Sequence, residues 1–510
     1  MMRSKVLMPG RLLRFSATFL FMVLVEALVA QALPSTQKPS TTASSTGQVR
    51  LDALQGLFDS EKAGAFAEEN APSFTTFALS NGIPVVVRRN DANRVRSLSL
   101  VIRGGTLLTA PADAGVEMLM LRTMARASRE LPYARLRAIL DETSAAFSTS
   151  SVFEYSTYSL TSLDRYFDKL LPIWAATFND PGWNQSDFDR VLSDAKLALQ
   201  KKDQDPWQAT AIEMNKDFFS GHPYAATPEG TTESLASMDL AKVEARYTMT
   251  RSANRLFIVA VGDFDAAALK PELEAAFGSV PDRGIPIPLS APSFAGAVKA
   301  GLVEKEFPAS KGIAYLRGDF AAPSPVDADW AAASLAARLY SDLLFNVLRD
   351  KYGAAYSPGA VVRGFGANYG SISVFKTSVP DKVKGYLDEA AADLLAGRTM
   401  SVAPGPNEGR YPRASIAEVL PVYKTIFINE TYSTITTNTA VAGEIARSVI
   451  QFGDPRAWLL DVYRVAAVTP GELQAAFRKY FVEAPVLWVA LGPADLLDKI
   501  DKGDFSAAAK

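Results

Sequence analysis

Residues 254–262 read NRLFIVAVG, a short apolar run closed by a glycine. Its length and its β-branched and aromatic content predict a strand over residues 255–261. Ahead of it stands a helical segment, Val243-Glu244-Ala245-Arg246-Tyr247, and behind it Gly262-Asp263 lead into a helix from Asp265. The same succession returns near the other end of the chain: a helix over 473–480, a strand over 486–491, Gly492-Pro493 and a helix from Ala494. A repeated unit of helix, strand, glycine and helix predicts two homologous domains of one fold. The Pro-rich passage VPDRGIPIPLSAP, residues 280–292, separates them and reads as a linker. The boundaries expected are an N-terminal domain over 51–280, a linker over 281–299 and a C-terminal domain over 300–510. SVAPGPNEGRYP, residues 401–412, reads as a loop inside the second domain.

Working outward through the first domain, TTFALSNGIPVVVR over residues 75–88 is a strand, an Asn81-Gly82 turn and a second strand. Another strand over 97–103 ends at Gly104-Gly105, and Gly115 opens a helix to about residue 127. Helices follow at 133–140, 164–179, 185–202 and 206–219, with two Ser/Thr/Tyr-rich strands within 145–163. Strands and helices mix without regular alternation. The fold class predicted is therefore α+β, each domain a mainly antiparallel sheet with helices packed on it.

At 510 residues the chain is too long for one hydrophobic core. Its 53 Lys plus Arg against 55 Asp plus Glu give a net charge of −2, which speaks against a nucleic-acid partner. Lys5, Arg11 and Arg14 precede an apolar run from Phe15 to Val25 and the small-residue pattern Ala30-Gln31-Ala32. That pattern predicts a signal peptide over 1–32 and export, to the periplasm if the source is Gram-negative, with no stable membrane anchor. The run is shorter than the roughly 20 apolar residues of a span. Residues 33–50, largely Ser, Thr and Pro, have almost nothing to bury and predict a disordered leader. A short helical segment is expected around 51–69. The chain has no cysteine and a single histidine, His222.

Gly105 and Gly115 ahead of a helix, His222-Pro223-Tyr224 followed by Gly230-Thr231, NRLFIVAVG and LRDKYGAAY over 348–356 recur in an order and spacing that resembles the pitrilysin/insulinase family of zinc peptidases. That family includes mitochondrial processing peptidase and the non-catalytic core proteins of the respiratory chain. The resemblance implies a His-x-x-Glu-His motif three positions after Gly115, with a further glutamate on a later helix. Residues i and i+4 of a helix share a face, so two histidines there ligate zinc while the glutamate serves as general base. Here the stretch is Met118-Leu119-Met120-Leu121-Arg122, with Met118 and Arg122 at the histidine positions and Leu121 at the general-base position. The later helix carries Asp187, Asp189 and Asp194 but no glutamate. No shift of register supplies two histidines. The expectation is a degenerate site with no metal and no cofactor in this chain, and His222 is read as shaping its loop.

The resemblance also implies an arginine and a tyrosine seven residues apart that face the zinc from the opposing domain, matched here by Arg349 and Tyr356. Residues 327–350 predict a strong helix, Gly353 its stop, and Tyr356 the start of the next strand. A phenol so placed donates a hydrogen bond to the oxyanion of a tetrahedral intermediate, and a guanidinium holds a substrate carbonyl. The function implied is that of the non-zinc subunit of a two-chain metallopeptidase, inactive alone, with a homologous zinc-bearing subunit and peptides as partners. The other reading is a catalytically inactive structural or binding homologue. Gly364, Gly366 and Gly370 in RGFGANYGS lack the Lys-Ser/Thr of a phosphate loop and read as turn residues, and Glu430 and Tyr432 as plain surface.

Overall fold

The computed structural model describes residues 74–288, 290–402 and 412–506. The expected signal peptide, leader and first helical segment lie outside the described residues. Among the described residues thirteen strands form two large sheets and one small one. The first sheet has the order β1 (Phe74–Ala78), β2 (Pro84–Arg89), β6 (Leu256–Gly262), β3 (Val95–Arg103), β5 (Tyr155–Leu163), β4 (Ala146–Ser151). The second has the order β7 (Gly301–Glu306), β13 (Val486–Gly492), β8 (Ala314–Ala321), β10 (Tyr369–Thr377), β9 (Ala355–Val362). A two-stranded ribbon pairs β11 (Arg398–Met400) with β12 (Arg413–Ser415).

The two large sheets share one topology. In the first, β2 runs parallel to β6, which is antiparallel to β3, which is antiparallel to β5. In the second, β7 runs parallel to β13, which is antiparallel to β8, which is antiparallel to β10. The repeated closing strands of the sequence, β6 and β13, thus hold equivalent places. One parallel pair in each otherwise antiparallel sheet comes from inserting the last strand between two earlier ones, β6 between β2 and β3 and β13 between β7 and β8.

The helices of eight or more residues are α1 (Val116–Met124), α2 (Tyr133–Thr143), α3 (Asp164–Asn179), α4 (Gln185–Gln204), α5 (Pro206–Phe218), α6 (Leu240–Thr250), α7 (Ala266–Phe277), α8 (Trp330–Leu344), α9 (Val383–Leu395), α10 (Ile416–Thr434), α11 (Asn438–Phe452) and α12 (Pro470–Phe477). In the first half Leu98, Leu100, Leu256 and Ile258 pack against α1, α3 and α7. In the second half Leu316, Phe320 and Ala490 pack against α8, α9 and α12.

The other face of each sheet is covered by the opposite half. From α11, Val441, Ala442, Ile445 and Ala446 pack on Val101, Phe257 and Val259 of the first sheet. From α5, Ala209, Met214 and Phe218 pack with β13 and β10 side chains such as Val489, Leu491 and Phe375. Each sheet is therefore buried on both faces, which is why β6 is an unbroken apolar run with every residue buried. Asn438 at the start of α11 fastens the exchange, donating from Nδ2 to the Val95 carbonyl at 2.6 Å and accepting from Asn90 at 2.7 Å.

The passage between the halves has no regular structure over 281–288 and is tied down at several points. Phe294 packs at 4.2 Å from the His222 ring and 5.6 Å from Phe219. The His222 imidazole accepts from the Tyr224 amide at Nδ1 (3.1 Å), so its Nε2 donates to the Pro292 carbonyl (2.8 Å). Burial lowers the imidazole pKa, in keeping with that neutral form, although its bond to Pro292 opposes the shift. Both ring nitrogens of this histidine are taken up in fastening the connection.

Two helices differ from the sequence expectation: the one expected over 473–480 is α12 up to Phe477, after which Arg478–Val482 winds as a π-helix. The single helix expected over 327–350 is α8 up to Leu344, after which Phe345–Lys351 winds as a π-helix. The stop is as expected, with Gly353 at φ +58°.

Candidate functional site

The helix where the zinc motif is expected is α1. It begins at Gly115, whose φ is +85°, and a Cβ there would lie 2.9 Å from the Cα and N of Gly230. Only glycine tolerates both the left-handed backbone and this backbone-to-backbone approach. Gly115→Ala is expected to lower stability by about 1–3 kcal/mol, read as a shift of the urea midpoint.

On α1, Met118 and Leu121 are buried at 7% and 0% exposure. Together with Arg122 they form one helix face at spacing i, i+3 and i+4. Leu121 belongs to the core of the first half. Burial pushes the Arg122 pKa down, while the negative charges of Glu229 and Asp194 oppose that shift. Asp194 lies on α4 and pairs with Arg190 at 3.1 Å. A thioether, an isobutyl group and a guanidinium do not make a zinc site. Among the described residues no group of three His, Cys, Asp or Glu side chains could hold a metal ion. Of the other acids on α4, Asp187 pairs with Arg126 at 2.7 Å and Asp189 accepts from Gln185 at 2.8 Å.

Next to this face lies a residue that no sequence motif marks. Glu117 is buried at 4% exposure and accepts from Arg246 Nε at 3.0 Å, Arg246 Nη2 at 2.5 Å, Arg255 Nη2 at 3.0 Å and Ser156 Oγ at 2.7 Å. Burial alone would raise its pKa. The Arg246 and Arg255 charges and the Ser156 hydrogen bond outweigh that and hold it below the usual carboxylate range. Arg246 also donates to the carbonyls of Leu108 (2.6 Å) and Gly105 (3.1 Å), and Arg255 to that of Arg103 (2.9 Å). The three side chains lock the Gly105 loop to α1, α6 and β6. The available signal was a pair of arginines, Arg246 and Arg255, inside the segments that close the first domain.

The structure brings Arg349 and Tyr356 together. Arg349 lies in the π-helix after α8, and Tyr356 is the second residue of β9, an edge strand. The guanidinium carbon is 4.8 Å from the Tyr356 ring centroid and 4.6 Å from that of Phe345, within cation–π range of both rings. Arg349 Nη1 also donates to the Tyr356 carbonyl at 3.4 Å. Tyr356 is 58% exposed, and among the described residues its hydroxyl has no hydrogen-bond partner. The arrangement presents a phenol O–H to solvent while a guanidinium holds its ring and backbone.

The glycines of RGFGANYGS have structural work. The Gly366 amide donates to Glu154 Oε1 at 2.7 Å, and the Tyr224 hydroxyl donates to the same oxygen at 2.6 Å, joining the β9–β10 connection to the β4–β5 turn. Gly370 lies within β10 rather than in a turn, facing the Phe320 ring, where a Cβ would clash. Glu430 is not bare surface: both its oxygens accept from Arg338 at 2.9 Å. Tyr432 is exposed.

Residues 85–232 match the model of the insulinase family, peptidase family M16, and residues 237–397 match that of the peptidase M16 inactive domain. No curated protein matches the sequence. Among solved structures, a protease from Helicobacter pylori superposes with a TM-score of 0.70 at 14% identity, covering 82% of this chain and 99% of that one. A peptidase M16 inactive domain from Pseudomonas fluorescens gives 0.69 at 18% identity, with 82% and 98% covered. Complex III2 from Candida albicans gives 0.67 at 15% identity, with 84% and 98% covered. At such identities these likenesses speak for the fold, and the matched family models carry the assignment. Two successive models of one family meeting on a repeated sheet topology lead to one conclusion: the chain belongs to the insulinase family of peptidases, M16.

Proposed function

We propose that this chain is the non-zinc subunit of an exported two-chain peptidase, forming half of a peptide-binding chamber with a homologous zinc-bearing subunit. The observation that carries the reading is the pairing of Arg349 with an exposed, unpartnered Tyr356 hydroxyl in a chain whose α1 offers Met118, Leu121 and Arg122 where ligands and base belong. Zinc belongs to the partner in this reading, and the chain's own contribution is made by two side chains. Tyr356 donates its O–H to the oxygen that becomes negative as the peptide carbonyl is attacked, and a preorganised donor of that kind is worth about 2.7–4 kcal/mol. Arg349 holds a substrate carbonyl and keeps the phenol in place. The peptide lies extended against an edge strand of the zinc-bearing subunit.

The amino-terminal apolar run and its small-residue flank support export, and among the described residues no helix is long and apolar enough to cross a membrane. The purified chain is expected to carry no stoichiometric zinc by elemental analysis, to show no thermal shift with added zinc, and to cleave no peptide. Zinc bound at one equivalent would overturn the subunit assignment. Copurification from the native source should return a homologue with an intact His-x-x-Glu-His motif. A chain that comes out as a homodimer with no such companion would favour the assembly-only reading.

A further inference from the structure

Next to the Arg349 and Tyr356 pair stands a residue that neither the family motif nor the fold accounts for. Lys376 adopts φ +61°. In β10, Phe375 and Thr377 pair with the consecutive residues Tyr315 and Ala314 of β8, so Lys376 is the extra residue of a β-bulge. On the other side Phe375 and Thr377 pair with Ser357 and Ala355, which sets Lys376 across from Tyr356. A left-handed conformation costs a side-chain-bearing residue on the order of 1–2 kcal/mol, and glycine or asparagine would take it more readily. The backbone alone gives no reason for lysine.

The side chain supplies a reason. Lys376 Nζ is 5.2 Å from the Tyr356 ring centroid, the same ring that Arg349 approaches at 4.8 Å. Among the described residues neither cation has a carboxylate partner. The neighbouring lysines do: Lys351 pairs with Glu389 at 2.7 Å and Lys384 with Asp388 at 2.5 Å. Two uncompensated positive charges on one exposed ring attract an anion and offer it charge-assisted hydrogen bonds, while the single phenol O–H stays with the oxyanion role.

We propose that Arg349 and Lys376 form a carboxylate-binding subsite beside Tyr356, with Lys376 as the specificity-determining residue that favours peptides bearing a carboxylate near the bond to be cleaved. The carboxylate comes from an Asp or Glu side chain or from a peptide C-terminus, and the chemistry is the same. The place of this subsite beside the cleaved bond rests on the proposed subunit function, whereas carboxylate binding itself is a property of the isolated chain.

The test is fluorescence anisotropy on the purified full chain at low ionic strength, where exposed charges are least screened. Three labelled unstructured peptides are compared: one with an internal Glu and an amidated end, its Gln counterpart with an amidated end, and that Gln peptide with a free carboxyl end. Wild type is expected to bind at least one carboxylate peptide about tenfold more tightly than the neutral peptide, the size of one charge-assisted hydrogen bond. Which carboxylate peptide shows the preference identifies the source. Lys376→Gln should abolish the preference and Lys376→Arg retain it. Lys376→Gly removes the charge while relieving the left-handed strain, so loss of preference there, with an unchanged or raised Tm, is not a folding defect. Equal binding of all three peptides by wild type, or an undiminished preference in Lys376→Gln, would overturn the proposal. A retained preference in a chain that restores no cleavage to any partner would instead remove the catalytic reading and leave the subsite standing.

Discussion

Replacing Tyr356 by phenylalanine is expected to lower turnover of the proposed two-chain enzyme by about 10²–10³-fold, the cost of removing one oxyanion donor. The hydroxyl has no partner among the described residues, so its removal leaves no hydrogen bond broken in the resting protein. The ring stays, and with it the Arg349 contact at 4.8 Å. Stability and assembly should therefore match wild type, and the loss should appear in kcat rather than KM, as befits a contact made in the transition state. Arg349→Lys tests the other half of the pair. It keeps a charge but loses the planar group that stacks between Phe345 and Tyr356, so it should raise KM and lower kcat together. Equal turnover in Tyr356→Phe and wild type would remove the catalytic role of the phenol.

The second large effect concerns stability. Glu117→Gln is expected to destabilise the chain by about 3–5 kcal/mol, because it leaves two buried guanidiniums with no counter-charge. Arg255 is fully buried and Arg246 nearly so, at 0% and 5% exposure. Their remaining hydrogen bonds, to the carbonyls of Arg103, Leu108 and Gly105 and to the Thr250 hydroxyl, do not neutralise them. The pH dependence follows from the depressed pKa of Glu117. The folded state holds this carboxyl ionised more strongly than the unfolded chain does, so its contribution is complete above the unfolded value, about pH 4.3. It is lost as pH falls from there through the lower folded value. The difference in urea midpoint between wild type and Glu117→Gln should be constant near neutrality and shrink in acid. A difference that grows on acidification would contradict the ion-pair account.

Much of the fold was legible because it rests on local pattern. The Asn81-Gly82 turn, the apolar run of β6 and its counterpart in β13 announced strands, and their recurrence announced the repeat. What was not legible depends on contacts distant in sequence. The 185–204 and 206–218 segments look alike as helices, yet α4 packs within its own half while α5 crosses to the second sheet. Nothing local in Asn438–Phe452 says that its apolar face meets Val101 and Phe257 of the other half. The helix over 327–350 has helical content throughout, and the π-turn at Phe345–Lys351 is no different in composition.

The site divides in the same way. The Met118, Leu121 and Arg122 substitutions and the spacing of Arg349 and Tyr356 were visible by comparison with a motif. Glu117 was hidden because a glutamate in the first turn of a helix is ordinarily a favourable surface charge. Only the return of Arg246 and Arg255 through the fold buries it. Lys376 was hidden because a bulge shows in register, and register is not written in the strand itself.

The central claim is that this chain completes an active site it cannot build alone, and the direct test is reconstitution. The purified chain is mixed with its zinc-bearing homologue, and cleavage of a quenched fluorogenic unstructured peptide is followed for each chain alone and for the pair. The account predicts no cleavage by this chain, little by the partner, and a large gain on mixing that saturates at one chain per partner. A partner as active alone as in the mixture would contradict it.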